Sequence, residues 1–379
     1  MPVNFDNAAT TFPKPESVRR AAALAAENLG GNAGRGGHSL AMRSSAAVYS
    51  ARETAAEFFG AEPENVVFTL NCTYALNMAI QGIMSGGGHM IISSLEHNSA
   101  ARPAAALARS GKVSLSVAEV CPDDSCTVEN FRSLIKSDTK AVVCTLASNV
   151  TGQLLPFREI AGLCRERGIC FIADGAQACG IIPVKMSDGI NILCTAGHKG
   201  LYGLTGTGLL ISDGEFPVSP VITGGTGTSS RSLEQPMLLP EALESGTLNL
   251  PGIMSLKAGI NFVERTGIDR IRSHEENICQ RFISELEKIP EVTVYRSRNA
   301  SYVPIVSFNI SGTEPESAAA LLSEAGYCLR AGLHCAPLAH SSLGTENGTV
   351  RFAPSVFSRT QDAVSLAAEI KKLAERQKK

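Results

Sequence analysis

Short apolar runs alternate with helix-like segments along residues 66–211, and this alternation constrains the fold more than any other feature of the chain. The runs predicted as strands are VVFT, MIIS, VSLSV, AVVCTL, ICFIA, NILCT and GLLIS. The segments predicted as helices between the first five runs are 73–84, 98–110, 127–136 and 156–168. Strands separated by helices normally pair in parallel, so the sequence predicts an α/β fold with a mostly parallel, doubly wound sheet.

The remainder of the chain has a different pattern. Pro, Gly, Thr and Ser are dense over residues 217–252, which predicts loops. The elements predicted after them are a long helix over 252–289, strands at VTVY and PIVSFNI, a helix near 315–325, a strand at 349–353 and a C-terminal helix ending in AAEIKKLAERQKK. We therefore expect a large domain over residues 16–255, and a smaller α+β domain formed by 1–15 and 256–379.

The net charge and the absence of long apolar runs indicate which kinds of partner and location to expect. The net charge is −2 and no long basic block is present, so nothing favours binding to nucleic acid or to a membrane surface, and a small-molecule partner is expected. The N-terminal segment lacks the pattern of a secretory signal, and no run of about 18 apolar residues occurs. We expect a cytoplasmic protein.

The cysteines are interpreted as reduced. There are 11 of them, an odd number without C-x-x-C spacing, so a metal site is not expected. Cys144, Cys170 and Cys194 lie in apolar runs and are predicted to be core residues. Cys121 and Cys126 flank a turn-like segment, and we expect neither a disulfide nor a metal ion there.

Asp174 and Lys199 have the chemistry needed to hold pyridoxal phosphate. Asp174 follows the run ICFIA, so it is expected at the carboxyl end of a buried strand, where α/β sheets bind ligands. Lys199 lies further along, in the segment GHKG. A lysine amine forms a Schiff base with the aldehyde of this cofactor, and a carboxylate keeps its pyridine nitrogen protonated. The pair predicts a cofactor without fixing a reaction.

Other predicted strands also end in polar residues. Thr73 opens a helix and is interpreted as part of a phosphate site, although threonine also caps helices. His97 can stack on a planar cofactor and move protons. Asn149 and Gln177 can reach the phenolic oxygen of the cofactor, and Asn149 also suits the substrate or a plain turn. Their convergence on one sheet edge favours a site over these separate explanations.

The chain as a whole resembles the cysteine desulfurases and selenocysteine lyases, which are class V aminotransferase-fold enzymes of fold type I. The motifs that carry the resemblance are DNAAT, GRGGHS, LEHN, SNVTG, DGAQA, GHKGLYGLTGTGLL, ESGTLN, RAGLHCAPL and VRFAPS. Their order and spacing cover nearly the whole chain. The resemblance implies a homodimer that uses pyridoxal 5'-phosphate and acts on L-cysteine or L-selenocysteine, with a protein as sulfur acceptor.

The resemblance also implies roles for individual residues. Lys199 would bind the cofactor aldehyde, with Asp174 at the pyridine nitrogen and His97 on the ring. Cys72, Thr73 and His198 would surround the phosphate, and Thr247 would reach the phosphate of the neighbouring subunit. The remaining residues that it implies are Asn149 and Gln177 beside the ring, and Arg351 as the clamp for the substrate carboxylate.

Cys335 carries the prediction of activity. In desulfurases a thiolate attacks the substrate sulfur, which leaves an enzyme persulfide and alanine. The segment from Arg330 to Ala336 resembles the second, shorter-loop group of desulfurases, and Arg330 and His334 would favour an ionised thiol if they lie near it. A selenocysteine lyase, a transaminase or epimerase of the same fold, and a catalytically silent cofactor-binding scaffold are the alternatives.

The sequence departs from the family pattern near the predicted phosphate site. Ala196 stands where the family usually has a serine, so one phosphate hydroxyl is missing, and Thr195 or Thr223 are the candidates to replace it. The loop Asn71-Cys72-Thr73-Tyr74 replaces the usual Gly-Thr-Thr-Glu type. The residues after Cys335 also differ from those of the better-known second-group enzymes. These differences indicate a divergent branch.

Overall fold

A computed structural model describes residues 2–34, 36–228 and 230–376. Arg35 of the GRGGHS motif, Ser229 and the last three residues of the predicted C-terminal helix lie outside the described residues. The strands are β1 (Val3–Asn4), β2 (Val66–Thr69), β3 (Gly88–Ser93), β4 (Val113–Ala118), β5 (Thr139–Thr145), β6 (Cys170–Asp174), β7 (Ile192–Ala196), β8 (Gly208–Ser212), β9 (Val292–Val294), β10 (Val306–Ile310), β11 (Tyr327–Cys328), β12 (Arg330–Gly332) and β13 (Thr349–Phe352).

The central sheet has seven strands in the order β2-β8-β7-β6-β5-β3-β4. Strands β4, β3, β5, β6 and β7 run parallel, whereas β8 is antiparallel to both of its neighbours. The predicted α/β class and mostly parallel sheet are confirmed. Because parallel neighbours end at the same edge, the residues after β3, β5, β6 and β7 are brought together there.

The described residues form eleven α-helices; most of them cover the two faces of the central sheet, and the rest pack in the C-terminal part. They are α1 (Glu16–Asn28), α2 (Ser39–Phe59), α3 (Cys72–Ile83), α4 (Asn98–Arg109), α5 (Asp124–Leu134), α6 (Phe157–Glu166), α7 (Leu250–Thr266), α8 (Ile268–Leu286), α9 (Pro315–Glu324), α10 (Pro337–Leu343) and α11 (Thr360–Arg376). Alternate strand residues enter different cores: Cys170 and Ile172 pack with α3 and α4, and Phe171 and Ala173 pack with α2 and α6. Burial on both faces explains why these strands read as continuous apolar runs.

The C-terminal part builds a core of its own. Strands β12, β13, β10 and β9 form an antiparallel sheet in that order, while β1 pairs in parallel with β11. Phe282 of α8, Phe308 of β10, Phe352 of β13 and Ile370 of α11 are buried together. The N-terminal strand thus packs with the C-terminal part, while the domain boundary near residue 255 stays a prediction.

Two predictions about local structure are wrong. The single helix expected over 252–289 is divided into α7 and α8 by Gly267, whose φ of 88° lies in a region that interrupts a right-handed helix. Cys121 and Cys126, expected to be unpaired, form a disulfide. The turn between them brings their Cα atoms to 6.0 Å, a separation that a disulfide spans, and the spacing alone did not reveal it.

Other observations bear on the predicted class of the protein. Cys144, Cys170 and Cys194 are buried, as expected for core cysteines. None of the helices in the described residues is long and apolar enough to span a membrane. Over the same residues, no group of three His, Cys, Asp or Glu side chains is arranged to hold a metal ion.

Helix α7 supports the segment that carries Lys199, and a single methyl group should test this contact. A β-carbon at Gly259 would overlap the carbonyl oxygen of Leu201, so Gly259→Ala is expected to lower the free energy of unfolding by about 1–3 kcal/mol. Gly162→Ala in α6 is the control, because no atom of the described residues lies within 4 Å of the place its β-carbon would occupy, and alanine favours helices. Urea unfolding that finds Gly259→Ala as stable as the native protein would contradict this account.

Candidate active site

A cavity of about 290 Å³ lies at the carboxyl edge of the central sheet. It is lined by eight of the predicted site residues, Cys72, Thr73, His97, Asn149, Asp174, Gln177, His198 and Lys199. The cavity also receives the first turns of α3 and α4, and the positive ends of these two helices favour an anion. The polar residues that the sequence placed at separate strand ends therefore share one site.

Asp174 and Lys199 form the electrostatic centre of this cavity. Asp174 is the last residue of β6 and is buried, and its Oδ1 accepts hydrogen bonds from the Ala176 N–H at 2.9 Å and from the Cys72 thiol at 3.4 Å. Burial lowers the pKa of Lys199, although the charge of Asp174 opposes that shift. A lysine with a lowered pKa is more often an uncharged amine, the form that attacks an aldehyde.

The side chains of Asn71 and His97 cap α3 and α4. Asn71, not Thr73, caps α3 by accepting the Tyr74 N–H at 3.0 Å. His97 caps α4, because its Nδ1 accepts the Ser99 N–H at 3.0 Å. Burial lowers the pKa of His97 to about 4, so the imidazole is neutral near pH 7 and carries its proton on Nε2. A neutral, flat ring with a fixed tautomer suits stacking on a planar group.

Polar atoms without partners mark the walls of the cavity. Asn149 Oδ1 and His198 Nδ1 are buried and, within the described residues, lack a hydrogen-bond partner. Such atoms are costly unless a ligand or water satisfies them. Gln177 Nε2, in contrast, donates to the carbonyl of Ala8 at 3.0 Å, so that amide already has one protein partner.

Cys335 lies in a strained loop outside the cavity. Cys335 and His334 have φ of 57° and 48°, and Tyr202, near Lys199, is the other non-glycine residue with a positive φ in the described structure. Two hydrogen bonds hold the loop: the Asn98 N–H donates to the Cys335 carbonyl at 2.7 Å, and Asn149 Nδ2 donates to the His334 carbonyl at 2.7 Å. Strained conformations of this kind persist where the surroundings over-determine them.

The two candidates for stabilising a thiolate at Cys335 are placed very differently. Arg330 Nη2 lies 3.7 Å from Cys335 Sγ, as the prediction requires. His334 is instead buried, with Nε2 bonded to the Thr349 carbonyl at 3.0 Å, and burial lowers its pKa to about 2. The expectation that His334 helps to ionise the thiol is therefore wrong, because an uncharged ring that faces Thr349 supplies no positive charge.

Arg351 and Arg330 lie opposite each other on strands β13 and β12. Arg351 is buried, and it donates from Nη1 to the Asn149 carbonyl at 2.8 Å and from Nη2 to Asp6 Oδ1 at 3.1 Å, while its Nε has no partner among the described residues. Like charges on directly opposed strand positions repel, and an anion between them relieves that repulsion. The pair is thus suited to a carboxylate ligand.

Thr247 is not part of the cavity in a single chain. It is exposed and lines a different cavity of about 310 Å³, together with Leu70 and Tyr74. The two threonines proposed to replace the hydroxyl missing at Ala196 do not line the cavity either. Thr195 is buried in β7 with its hydroxyl near the Gly175 carbonyl, and Thr223 lines a third cavity.

Several residues of the site were not predicted from the sequence. Ser99 lines the cavity, and its Oγ lies 2.7 Å from Thr73 Oγ1 and 2.8 Å from His97 Nδ1. Glu96 is fully buried, with Oε1 accepting the Ser93 hydroxyl at 2.5 Å and the Thr145 N–H at 2.6 Å. Ser99 lies two residues after His97 in the same strand-to-helix turn, and this position could have identified it as a site residue from the sequence. Asp6, which pairs with Arg351, belongs to the DNAAT motif, and nothing in that motif indicated this contact.

Together these groups fit pyridoxal phosphate. A buried carboxylate and an amine of lowered pKa match its ring nitrogen and aldehyde, and two helix N-termini match its phosphate. The unpartnered Asn149 Oδ1 and His198 Nδ1 offer further polar contacts. Nothing in this set of groups conflicts with the predicted cofactor.

Comparisons with known proteins agree with this geometry. A sequence model described as aminotransferase class-V matches residues 3–366. A probable cysteine desulfurase of Methanothermobacter thermautotrophicus is 30% identical over 97% of this chain and 94% of its own, and one of Pyrococcus abyssi is 30% identical over 98% and 94%. The apo structure of a cysteine desulfurase from Thermococcus onnurineus NA1 superposes with a TM-score of 0.93 at 29% identity, covering 99% of this chain and 95% of that chain. The Escherichia coli cysteine desulfurase CsdA superposes with a TM-score of 0.89 at 25% identity, with the same coverage.

Glu96 should make stability depend on pH. Burial raises the pKa of Glu96 to about 8, above the 4.5 of an ordinary glutamate. The contribution of this residue to the free energy of unfolding is therefore complete below pH 4.5 and is lost as pH rises through 8. The free energy of unfolding of the native protein should therefore fall as pH rises from 6 to 8. Glu96→Gln cannot ionise at this position, so we expect its free energy of unfolding to fall by roughly 2 kcal/mol less over the same range.

Urea unfolding of the cofactor-free proteins at several pH values measures this difference. Glu57→Gln, at an exposed position of α2, serves as the control and should follow the native protein. Identical pH dependence in Glu96→Gln and the native protein would show that Glu96 does not enter the folded state protonated.

Proposed function

Since this chain belongs to the aminotransferase class-V family, we propose that it is a pyridoxal phosphate-dependent cysteine desulfurase. It takes sulfur from L-cysteine, releases L-alanine and forms a persulfide on Cys335 for transfer to a protein acceptor. One observation carries the proposal: Cys335, the exposed free cysteine of the described residues, is hydrogen-bonded through its loop to the wall of the cavity that holds Lys199 and Asp174. The names of the similar proteins support the same activity.

The residues of the cavity would hold the cofactor in one orientation. Lys199 would bind the aldehyde carbon, Asp174 the ring nitrogen and His97 one face of the ring. Asn149 and Gln177 would lie beside the phenolic oxygen, and Cys72, Thr73 and His198 would surround the phosphate. When bound, pyridoxal phosphate supplies an electron-accepting ring that stabilises negative charge on the substrate carbon next to it.

Lys199 and Asp174 would divide the acid–base work. Burial lowers the pKa of Lys199, so its amine, when not bonded to the cofactor, would be uncharged more often than that of an exposed lysine. It can then accept the α-proton of cysteine and later return a proton to the product. Asp174, held by the Ala176 N–H and the Cys72 thiol, would present its carboxylate to the ring nitrogen and keep that nitrogen protonated.

Arg351 and Arg330 would orient the substrate. The free Nε of Arg351 and its neighbouring Nη2 can bind a carboxylate in a two-pronged manner, in competition with Asp6 for Nη2. Arg330 lies opposite Arg351 on the neighbouring strand, and its Nη2 is 3.7 Å from the thiol sulfur of Cys335. Arg330 is thus placed to form an ion pair with the Cys335 thiolate, which would be the attacking form.

Sulfur transfer would proceed as a nucleophilic displacement at the substrate sulfur. The Cys335 thiolate forms a bond to the sulfur of the substrate, and the bond between that sulfur and the β-carbon breaks with its electron pair left on carbon. The carbon takes up a proton and leaves as alanine, while Cys335 carries the persulfide. No external oxidant or reductant enters this step. Transfer of the outer sulfur to a thiolate of the acceptor would leave Cys335 as a thiolate for the next cycle.

A homodimer completes the proposal. Thr247 is exposed, so it is accessible to a second copy of the chain, as the family resemblance implies. Leu70 and Tyr74, which line the same cavity, have 51% and 42% of their surfaces exposed. Exposed apolar side chains grouped in this way are typical of an interface between proteins.

Replacement of the nucleophile tests the activity directly. Cys335→Ala is expected to form alanine from cysteine about a hundredfold more slowly or worse, because no thiolate remains to accept the sulfur. After incubation with cysteine, the native protein should gain the mass of one sulfur atom on the peptide that contains Cys335. Cys328→Ala, which removes a half-buried thiol of β11, is the matched control and should keep full turnover.

Different outcomes separate the alternatives. Full cysteine turnover by Cys335→Ala would refute the persulfide mechanism. Selenocysteine turnover that survives in this variant while cysteine turnover is lost would favour a selenocysteine lyase, since selenium leaves more readily. A keto acid as the product would identify a transaminase, and cofactor binding without turnover of any of these amino acids would identify a scaffold.

A further inference from the structure

A chain of hydrogen bonds joins the first turns of α3 and α4 beside the cavity. Thr73 Oγ1 lies 2.7 Å from Ser99 Oγ, which lies 2.8 Å from His97 Nδ1. Ser99 is 7% exposed and lines the same cavity as Thr73, His198 and Ala196. The buried hydroxyl of Ser99 is therefore located where the predicted phosphate site requires donors.

Ala196 also lines this cavity, but its side chain provides no hydroxyl. The residue is the last of β7, three positions before Lys199, and its methyl group belongs to the apolar core. Neither Thr195 nor Thr223 compensates within the chain, because the first is directed to the Gly175 carbonyl and the second lines another cavity. Among the described residues that line the cavity, the hydroxyl groups come from Thr73, Ser99 and Thr145.

We propose that Ser99 is a phosphate-binding residue that provides the hydroxyl which Ala196 lacks. The inference rests on the proposed cofactor, but it concerns how that cofactor is held and not which reaction follows. Thr145 is unsuited to this role, because its hydroxyl already donates to the Ala147 carbonyl at 2.9 Å. Ser99 lies instead in the first turn of a helix, where an anion is favoured.

The proton arrangement explains why Ser99 is free to act on a phosphate. The Ser99 N–H already donates to His97 Nδ1, so the ring keeps its tautomer without the hydroxyl. The hydroxyls of Ser99 and Thr73 can rotate, and each can donate to a phosphate oxygen instead of to its present neighbour. His198 Nδ1, buried and unpartnered within the described structure, is a further polar atom of a residue that lines the cavity.

Substitution of Ser99 by alanine separates its hydroxyl from its backbone role. Ser99→Ala keeps the N–H that binds His97, and alanine is accepted in the first turn of a helix. We expect the affinity of the cofactor-free protein for pyridoxal phosphate to fall about tenfold or more, as for other hydrogen bonds to charged groups. Affinity for pyridoxal, which has no phosphate, should stay within about twofold of the native value.

The reciprocal variant makes the test decisive. Ala196→Ser, introduced into Ser99→Ala, should restore most of the lost affinity for pyridoxal phosphate, because it supplies a hydroxyl from another residue that lines the cavity. Equilibrium titration of the cofactor-free native protein, both single variants and the double variant, followed by cofactor absorbance, measures the affinity for both ligands. Thermal unfolding of the cofactor-free forms shows whether each variant is folded.

Each outcome has a distinct meaning. Equal losses for pyridoxal and pyridoxal phosphate in Ser99→Ala would overturn the proposal and show that the hydroxyl acts through His97. An unchanged affinity for pyridoxal phosphate, or the absence of any rescue by Ala196→Ser, would also overturn it. Because these measurements record binding, a protein that binds the cofactor as expected but fails to desulfurate cysteine would refute only the proposed function.

Discussion

The parallel strands β3, β5, β6 and β7 end at one edge of the sheet, and the site depends on this constraint. Their carboxyl ends, or the loops that follow them, deliver His97, Asn149, Asp174 and Lys199 to a single cavity. The strands are buried on both faces, so their order and register are fixed by packing on two separate cores. A carboxylate and an amine that would be costly to bury separately are thereby held in one environment.

Asn149 connects this rigid edge to the loop of Cys335. Its carbonyl accepts a hydrogen bond from buried Arg351, and its side-chain amide donates to the His334 carbonyl. The proposed carboxylate clamp and the proposed nucleophile are therefore linked through one residue of the cavity wall. Such a link allows the strained backbone at His334 and Cys335 to keep the thiol beside Arg330 although the side chain itself is exposed.

Much of the fold and of the cavity could be predicted from the sequence, because continuous apolar runs identified the buried strands and the polar residues after them had to meet at the sheet edge. Features that depend on tertiary geometry were missed. Gly267 divides a helix that its periodicity made continuous. His334 was expected beside the thiol, but a left-handed backbone turns its ring towards Thr349. Ser99 was overlooked because its contribution arises only from the approach of α4 to α3.

The central claim, that Lys199 is the residue which binds the cofactor aldehyde, is tested by chemical trapping. Lys14 is an effective internal competitor, because it donates to the His198 carbonyl at 2.8 Å and burial lowers its pKa to about 8. The protein loaded with pyridoxal phosphate is reduced with borohydride, digested and mapped by mass spectrometry. We predict a pyridoxyl group on the peptide that contains Lys199, lost in Lys199→Ala and retained in Lys14→Ala. Modification of Lys14, or of no lysine at all, would contradict the account.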